Sequence, residues 1–107
     1  MKTVYISSAY YDDPVTRTAE AGFYAEFARK QGFDPIIPQK TFLSAFGKDE
    51  RRDQEEVMKT LVDKADEIWF FGDITEGHMW DAEFYAMTRL KSRKYFEKDM
   101  TERSDKK

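Results

Sequence analysis

The sequence contains no cysteine and only one histidine, His78. Without cysteine the chain has no disulfide, no thiolate nucleophile and no thiolate metal ligand, and a single histidine argues against a zinc site. The phosphate-loop sequence Gly-Lys-Ser/Thr and the motif Gly-x-Gly-x-x-Gly are also missing, so two well-known signals of nucleotide-cofactor binding are absent. We therefore predict neither a metal site nor a cofactor.

The chain also lacks a surplus of basic residues and a long apolar run. Its formal net charge is −3, so the sequence predicts no dominant basic surface for a nucleic-acid backbone. No apolar run reaches the ~20 residues of a membrane-spanning helix, and the N-terminus enters a strand-like run at once, without a signal peptide. These absences predict a soluble, cytoplasmic protein with neither a nucleic-acid nor a membrane partner.

The residues that are present alternate between strand and helix patterns. Short β-branched and aromatic runs predict strands at 3–7, 33–37, 67–71 and 93–96. Helical patterns occupy 15–31, 50–65 and 78–91, and a loop is predicted at 38–49. Alternation of this kind predicts an α/β fold, a doubly wound, flavodoxin-like or Rossmann-like parallel sheet of about four strands with flanking helices. The length predicts one domain, residues 1–96, followed by a charged, frayed tail at 97–107.

In such sheets ligands bind at the carboxyl ends of the strands, where the strand order reverses. The loops "SSAYYDD" after the first strand and "GDITEG" after the third should therefore meet in space. Asp73 in the second loop either caps its own turn or performs chemistry. Thr75 is a candidate helix cap, and Gly77 allows a ligand to approach the backbone closely. His78 is expected to be solvated at the helix start, with ligand binding as the alternative.

The third helix carries a carboxylate within an apolar face. At ~100° per residue one broad face contains Met79, Trp80, Phe84, Met87 and Leu90. Glu83 lies near the middle of that face, where a carboxylate is costly unless it is paired or functional. Asp81 lies on the opposite side and is interpreted as an acid of the first turn that complements the helix dipole.

The first strand and its loop supply hydroxyl groups and rings. Tyr5 and Ser7 point to the same side of the sheet, and a tyrosine hydroxyl near a carboxylate can hold it in one rotamer. Tyr10 and Tyr11 are candidates for stacking on a base. The alternative is that Tyr5 packs in the core and that one of Tyr10 and Tyr11 is exposed.

The chain resembles the nucleoside 2-deoxyribosyltransferase-like family. The resemblance rests on "VYISSAYYDD", "AEFARKQGFDPIIPQ", "KADEIWFFGD" and "TEGHMWDAEFYA", and it extends over about the first 96 residues. It implies the doubly wound fold and cleavage of the N-glycosidic bond of a deoxynucleoside or deoxynucleotide. A glutamate near the start of the last site helix attacks the anomeric carbon in this family, a tyrosine on the first strand orients it, and an aspartate handles the proton of the base.

Carried over by position, the resemblance assigns Tyr5 as the orienting tyrosine and Asp73 as the acid–base residue. The family spacing of glycine, three residues and glutamate reaches Asp81, whereas residue type and the helix face favour Glu83. The catalytic candidates are therefore Glu83, Asp73, Tyr5 and Asp81. The candidates for substrate binding are Ser7, Tyr10, Gly77 and His78.

Three functions follow from these patterns. The leading hypothesis is an enzyme that cleaves or exchanges an N-glycosidic bond through a carboxylate nucleophile. The alternatives are a binding module for a nucleoside or nucleotide derivative, and an interaction protein whose aromatic residues form an interface. Self-association is also predicted, from the aromatic content, from the resemblance, and from Phe42, Leu43 and Phe46 in the predicted loop.

Overall fold

The computed structural model describes residues 1–40 and 51–103, and side chains for 1–40 and 55–103. The strands are β1 (Lys2–Ser7), β2 (Phe33–Ile36), β3 (Glu67–Phe71) and β4 (Ser92–Phe96). The helices are α1 (Pro14–Lys30), α2 (Arg51–Lys64) and α3 (Gly77–Thr88). All strand pairs are parallel and the strand order is β2-β1-β3-β4, so the predicted doubly wound α/β fold is confirmed.

The strand order places the switch point between β1 and β3. From β1 the chain passes to β2 on one side, and from β3 it passes to β4 on the other. Helix α1 covers one face of the sheet, where Tyr24 and Ala28 pack with Val4 and Trp69. Helices α2 and α3 cover the other face. Because the order reverses at β1 and β3, their carboxyl ends form the expected location of a ligand.

The register aligns side chains in rows across the face that α2 and α3 cover. Ser7 on β1 pairs with Phe70 on β3, which pairs with Tyr95 on β4. The phenyl ring of Phe70 and the phenol of Tyr95 are stacked with centroids 5.0 Å apart. Phe70 is fully buried. Since adjacent strands are ~4.8 Å apart, Ser7 and Tyr95 lie roughly 10 Å from each other along this row.

Local signals at both ends of α1 were predicted correctly. The Asp13 side chain accepts a hydrogen bond from the backbone N–H of Thr16 at 3.4 Å, and Pro14 is the first helical residue. Gly32 follows the helix with φ +90°, a backbone conformation that glycine adopts at little cost. This stop places Phe33 directly at the start of β2.

The predicted apolar face of α3 is not the face that the protein buries. The residues of α3 that are buried are Met79, Ala82 and Ala86. The other members of the predicted face are exposed: Trp80 57%, Phe84 69%, Met87 49% and Leu90 91%. The helix is rotated by roughly a quarter turn from the expected orientation at ~100° per residue. Small alanines allow α3 to approach the sheet and α2 closely, which a face of large side chains would prevent.

Two predicted irregular segments differ from the structure. Residues 97–103 are not frayed, because Glu102 forms an antiparallel bridge with Phe96 and the backbone N–H of Arg103 donates to Tyr95 O at 2.7 Å. Residues 38–40 are helical rather than a loop.

The predicted interface residues Phe42, Leu43 and Phe46 lie outside the described residues. Within the described ranges, no helix is both long and apolar enough to cross a bilayer.

Candidate functional site

The loops after β1 and β3 meet, as predicted, and the carboxylate of Glu76 joins them. Its Oε1 accepts hydrogen bonds from the backbone N–H groups of Tyr10 at 2.8 Å and Tyr11 at 3.1 Å. Nε2 of His78 lies 2.9 Å from the same oxygen. A carboxylate only accepts, so this ring nitrogen carries the proton. Glu76 therefore fixes the geometry of the switch point.

The hydrogen bonds of Glu76 outweigh the cost of its burial. Desolvation by burial raises the pKa of this carboxyl. The hydrogen bonds from His78, Tyr11 and Tyr10 lower the pKa by more than burial raises it, and the resulting pKa is about 2. Thr75, the helix cap predicted from the sequence, is not the N-cap residue; that residue is Glu76, and its side chain makes no capping bond. An acid immediately before the helix glycine was the signal available in the sequence.

Glu83 is held by a tyrosine, but not by the predicted one. Tyr95 OH donates to Glu83 Oε2 at 2.5 Å. Burial, and then the hydrogen bond to Glu83, raise the pKa of Tyr95 to about 12, so the phenol remains a donor at neutral pH. The expected contact between Glu83 and Tyr5 is not formed, because Glu83 faces Tyr95 on the edge strand β4 rather than Tyr5 on β1.

Three polar atoms at the end of β1 and just beyond β2 are buried without a partner. They are Tyr5 OH, Ser7 Oγ and Gln39 Oε1, none of which has a hydrogen-bond partner in the structure as described. Tyr5, Ser7 and Gln39 are at most 1% exposed. Burial raises the pKa of Tyr5 well above its ordinary value, so its hydroxyl keeps its proton. An unsatisfied buried group of this kind costs about 1–3 kcal/mol, and three together call for a functional explanation.

A pocket of about 390 Å³ opens between the two loops on the α1 side of the sheet. Its polar lining includes Asp12, Arg17, Asp73, Glu76 and Lys98. Of the predicted site residues, only Asp73 lines it. The carboxylates are engaged: Arg17 binds Asp12 at 3.0 Å, and Arg103 binds Asp73 at 2.9 Å. The pocket is large enough for a small ligand.

The remaining predicted site residues lie around the start of α3 or under the first loop. Asp81 is exposed and lies beyond the first turn, so it does not complement the helix dipole there as expected. A Cβ added at Gly77 would meet open space, in line with its predicted accessibility. The His78 side chain is 10% exposed rather than solvated, because it packs against Glu76. Tyr10 is buried, with its ring edge-on to Tyr11.

A family model described as a domain of unknown function, DUF7768, matches residues 2–96. The chain belongs to the DUF7768 family. No match was found among curated proteins or among solved structures. Within the described residues of this DUF7768 domain, no cluster of three or more histidine or acidic side chains is arranged to hold a metal ion.

The two tyrosines of this DUF7768 domain should respond oppositely to loss of the hydroxyl. Tyr5→Phe removes a buried hydroxyl that has no partner in the described part of the chain, so the free energy of unfolding should stay unchanged or rise by up to about 1 kcal/mol. Tyr95→Phe removes the donor to Glu83 and should lower the free energy of unfolding by roughly 1–2 kcal/mol. Urea denaturation of both variants beside the parent measures the difference. Equal losses would contradict the assignment of partners.

Proposed function

We propose that this protein cleaves or exchanges the N-glycosidic bond of a deoxynucleoside or deoxynucleotide, with Glu83 as nucleophile. The substrate lies over the face of the sheet that α2 and α3 cover. The observation that carries the proposal is the set of unsatisfied polar atoms of Tyr5, Ser7 and Gln39, which offers a sugar or base polar partners in an otherwise apolar environment.

The register supports an extended substrate on this face. The unsatisfied atoms lie at β1 and next to it, whereas Glu83 lies over Tyr95 on β4, with Phe70 between them. The separation along this row is roughly 10 Å. A base placed next to Gln39 and a sugar directed toward Glu83 span that separation. Tyr95 takes the role that the resemblance assigned to Tyr5, because it orients the carboxylate.

The proposed reaction proceeds in two steps. A carboxylate oxygen of Glu83 bonds to the anomeric carbon as the bond from that carbon to the base nitrogen breaks. The electron pair of the broken bond stays on the base, which takes a proton from water, because Asp73 is paired with Arg103 and lines the pocket on the α1 side. Water or a second base then attacks the anomeric carbon, loses a proton to the hydroxide left by the first step, and releases the ionised carboxylate of Glu83.

A second candidate function is binding without turnover. The pocket between the two loops favours it, because its acids are occupied: Arg17 binds Asp12 and Glu20, Arg103 binds Asp73, and His78 binds Glu76. Such a pocket recognises a polar ligand but presents no carboxylate free to attack. The two candidates differ in the face of the sheet that the ligand contacts and in the presence of turnover.

Incubation with a deoxynucleoside and a different free base, followed by chromatography, tests the proposal. A new deoxynucleoside demonstrates transfer, and release of base and sugar alone demonstrates hydrolysis. A ligand-induced rise in melting temperature without any product would favour binding without turnover over the enzymatic function. If common deoxynucleosides and their monophosphates give no product and no melting shift, both candidate functions are contradicted.

Self-association is proposed through the exposed stripe of α3, defined as Trp80, Phe84 and Met87. In a symmetric antiparallel pairing of two α3 helices, Phe84 would lie near the two-fold axis and Trp80 of one chain would meet Met87 of the second copy. The stripe exposes roughly 400 Å² of mostly apolar surface, enough to form the centre of a dimer interface. Phe84→Lys should therefore convert a dimer into single chains.

Light scattering at micromolar concentration gives the mass of the particle in solution and so distinguishes a dimer from a single chain. Phe23→Lys on α1 is the matched control, because Phe23 and Phe84 are both 69% exposed, but α1 covers the opposite face of the sheet. The control should retain the dimer. A parent protein with the mass of one chain contradicts the proposal.

A further inference from the structure

We propose that Gln39 selects bases that carry an exocyclic amino group, as adenine and cytosine do, over the corresponding keto bases. This inference rests on the proposed function, since it names the substrate class of the same site. It concerns a residue that the sequence analysis did not single out.

The orientation of the amide is fixed by a neighbour that only accepts hydrogen bonds. One end of the Gln39 amide lies 3.1 Å from the backbone carbonyl oxygen of Ser8 and 2.9 Å from Ser8 Oγ. A carbonyl oxygen has no proton to donate, so the end that faces it must be the NH₂ group. Both protons of Nε2 are then used, and Oε1 is turned away from Ser8.

The remaining atom of the amide is therefore an acceptor. Gln39 is fully buried, and its Oε1 has no donor among the residues that the structure describes. A ligand that supplies an N–H to this oxygen removes the cost of an unsatisfied buried group, whereas a ligand that presents a carbonyl there adds a second acceptor. Adenine and cytosine carry an NH₂ group where hypoxanthine and uracil carry an oxygen.

Ser7 Oγ and Tyr5 OH on β1 are also buried, and neither has a hydrogen-bond partner among the residues that the structure describes. Hydroxyl groups rotate and can donate or accept, so they fit either class of base. The rigid amide of Gln39 is thus the discriminating group. Sites built to hydrogen-bond a polar group reject close analogues that lack it more strongly than apolar pockets reject a methylene.

The test compares two pairs of ligands that differ at this group: deoxyadenosine with deoxyinosine, and deoxycytidine with deoxyuridine. Calorimetric titration of the whole chain should give a dissociation constant that is roughly 10- to 100-fold lower for the amino member of each pair. The methionine side chain of Gln39→Met has a similar length but no amide. This variant should bind the amino member of each pair only as tightly as the keto member. Ser8→Ala keeps the backbone carbonyl that orients the amide and should retain the preference.

The outcomes separate this inference from the proposed function. Equal binding within both pairs, or a keto preference, overturns the role of Gln39 even where base exchange is observed. An amino preference without any exchange or hydrolysis supports the role of Gln39 and removes the catalytic proposal. Failure of all four ligands to bind overturns the inference. If circular dichroism shows Gln39→Met to be unfolded, the comparison of the four ligands on the parent protein decides by itself.

Discussion

Glu83→Gln should abolish base exchange and glycosidic hydrolysis while leaving the fold and ligand binding in place. The glutamine amide can still accept the hydrogen bond that Tyr95 donates to Glu83 in the parent, so the local packing is retained and little stability is lost. An amide does not form the glycosyl ester, however, and loss of a nucleophile typically costs several orders of magnitude in turnover. Initial rates of base exchange, measured by chromatography, give the ratio of variant to parent.

Asp81→Asn is the decisive companion, because the family spacing assigns the nucleophile to Asp81. With Glu83 as nucleophile, this exposed position should change the rate by less than a few-fold. The reverse pattern, with Asp81→Asn inactive and Glu83→Gln active, would identify Asp81 as the nucleophile, as the family spacing predicts. It would reject Glu83 as the nucleophile. Isothermal titration with a deoxynucleoside separates lost chemistry from lost binding in each variant.

Removal of the Glu76 carboxylate should strongly destabilise the protein. Glu76→Ala deletes the acceptor of the backbone N–H groups of Tyr10 and Tyr11 and the partner of His78. Hydrogen bonds to a charged group contribute roughly 1.5–3 kcal/mol, so a loss on the order of 2–3 kcal/mol in the free energy of unfolding is expected. Urea denaturation at neutral pH measures it.

Glu26→Gln is the control for Glu76, because the Glu26 side chain is 59% exposed and forms only an i,i+3 pair with Arg29. Such exposed pairs contribute little, and its effect should stay within about 0.5 kcal/mol. A loss of similar size in both variants would contradict the role of Glu76 in joining the loops.

The same carboxylate predicts the direction of the pH dependence. The pKa of Glu76 falls from 4.5 to about 2 on folding, so the unfolded state binds the proton more readily. The stabilisation is complete above about pH 5 and is lost progressively as the pH falls toward 2. Glu76→Gln should therefore flatten the stability profile between these values, by on the order of 2 kcal/mol. A profile as steep as that of the parent would exclude Glu76 as the titrating group.

The sequence by itself determined the fold and the place where the loops meet. Apolar runs such as 67–71 specify buried strands, and Asp13, Pro14 and Gly32 specify the ends of a helix through the backbone geometry that each favours. These are local effects, and alternation of the elements then leaves a parallel sheet as the consistent arrangement. The loops after β1 and β3 follow from that arrangement without further information.

Only the tertiary structure decided which face of α3 is buried and which partners its acids find. The stripe of Trp80, Phe84 and Met87 is the more hydrophobic face, yet the protein buries Ala82 and Ala86. Close approach to the sheet requires small side chains, and this requirement depends on α2 and β4 rather than on the helix alone. In that orientation Glu83 accepts a hydrogen bond from Tyr95 rather than from Tyr5, and Tyr5 OH has no hydrogen-bond partner among the described residues.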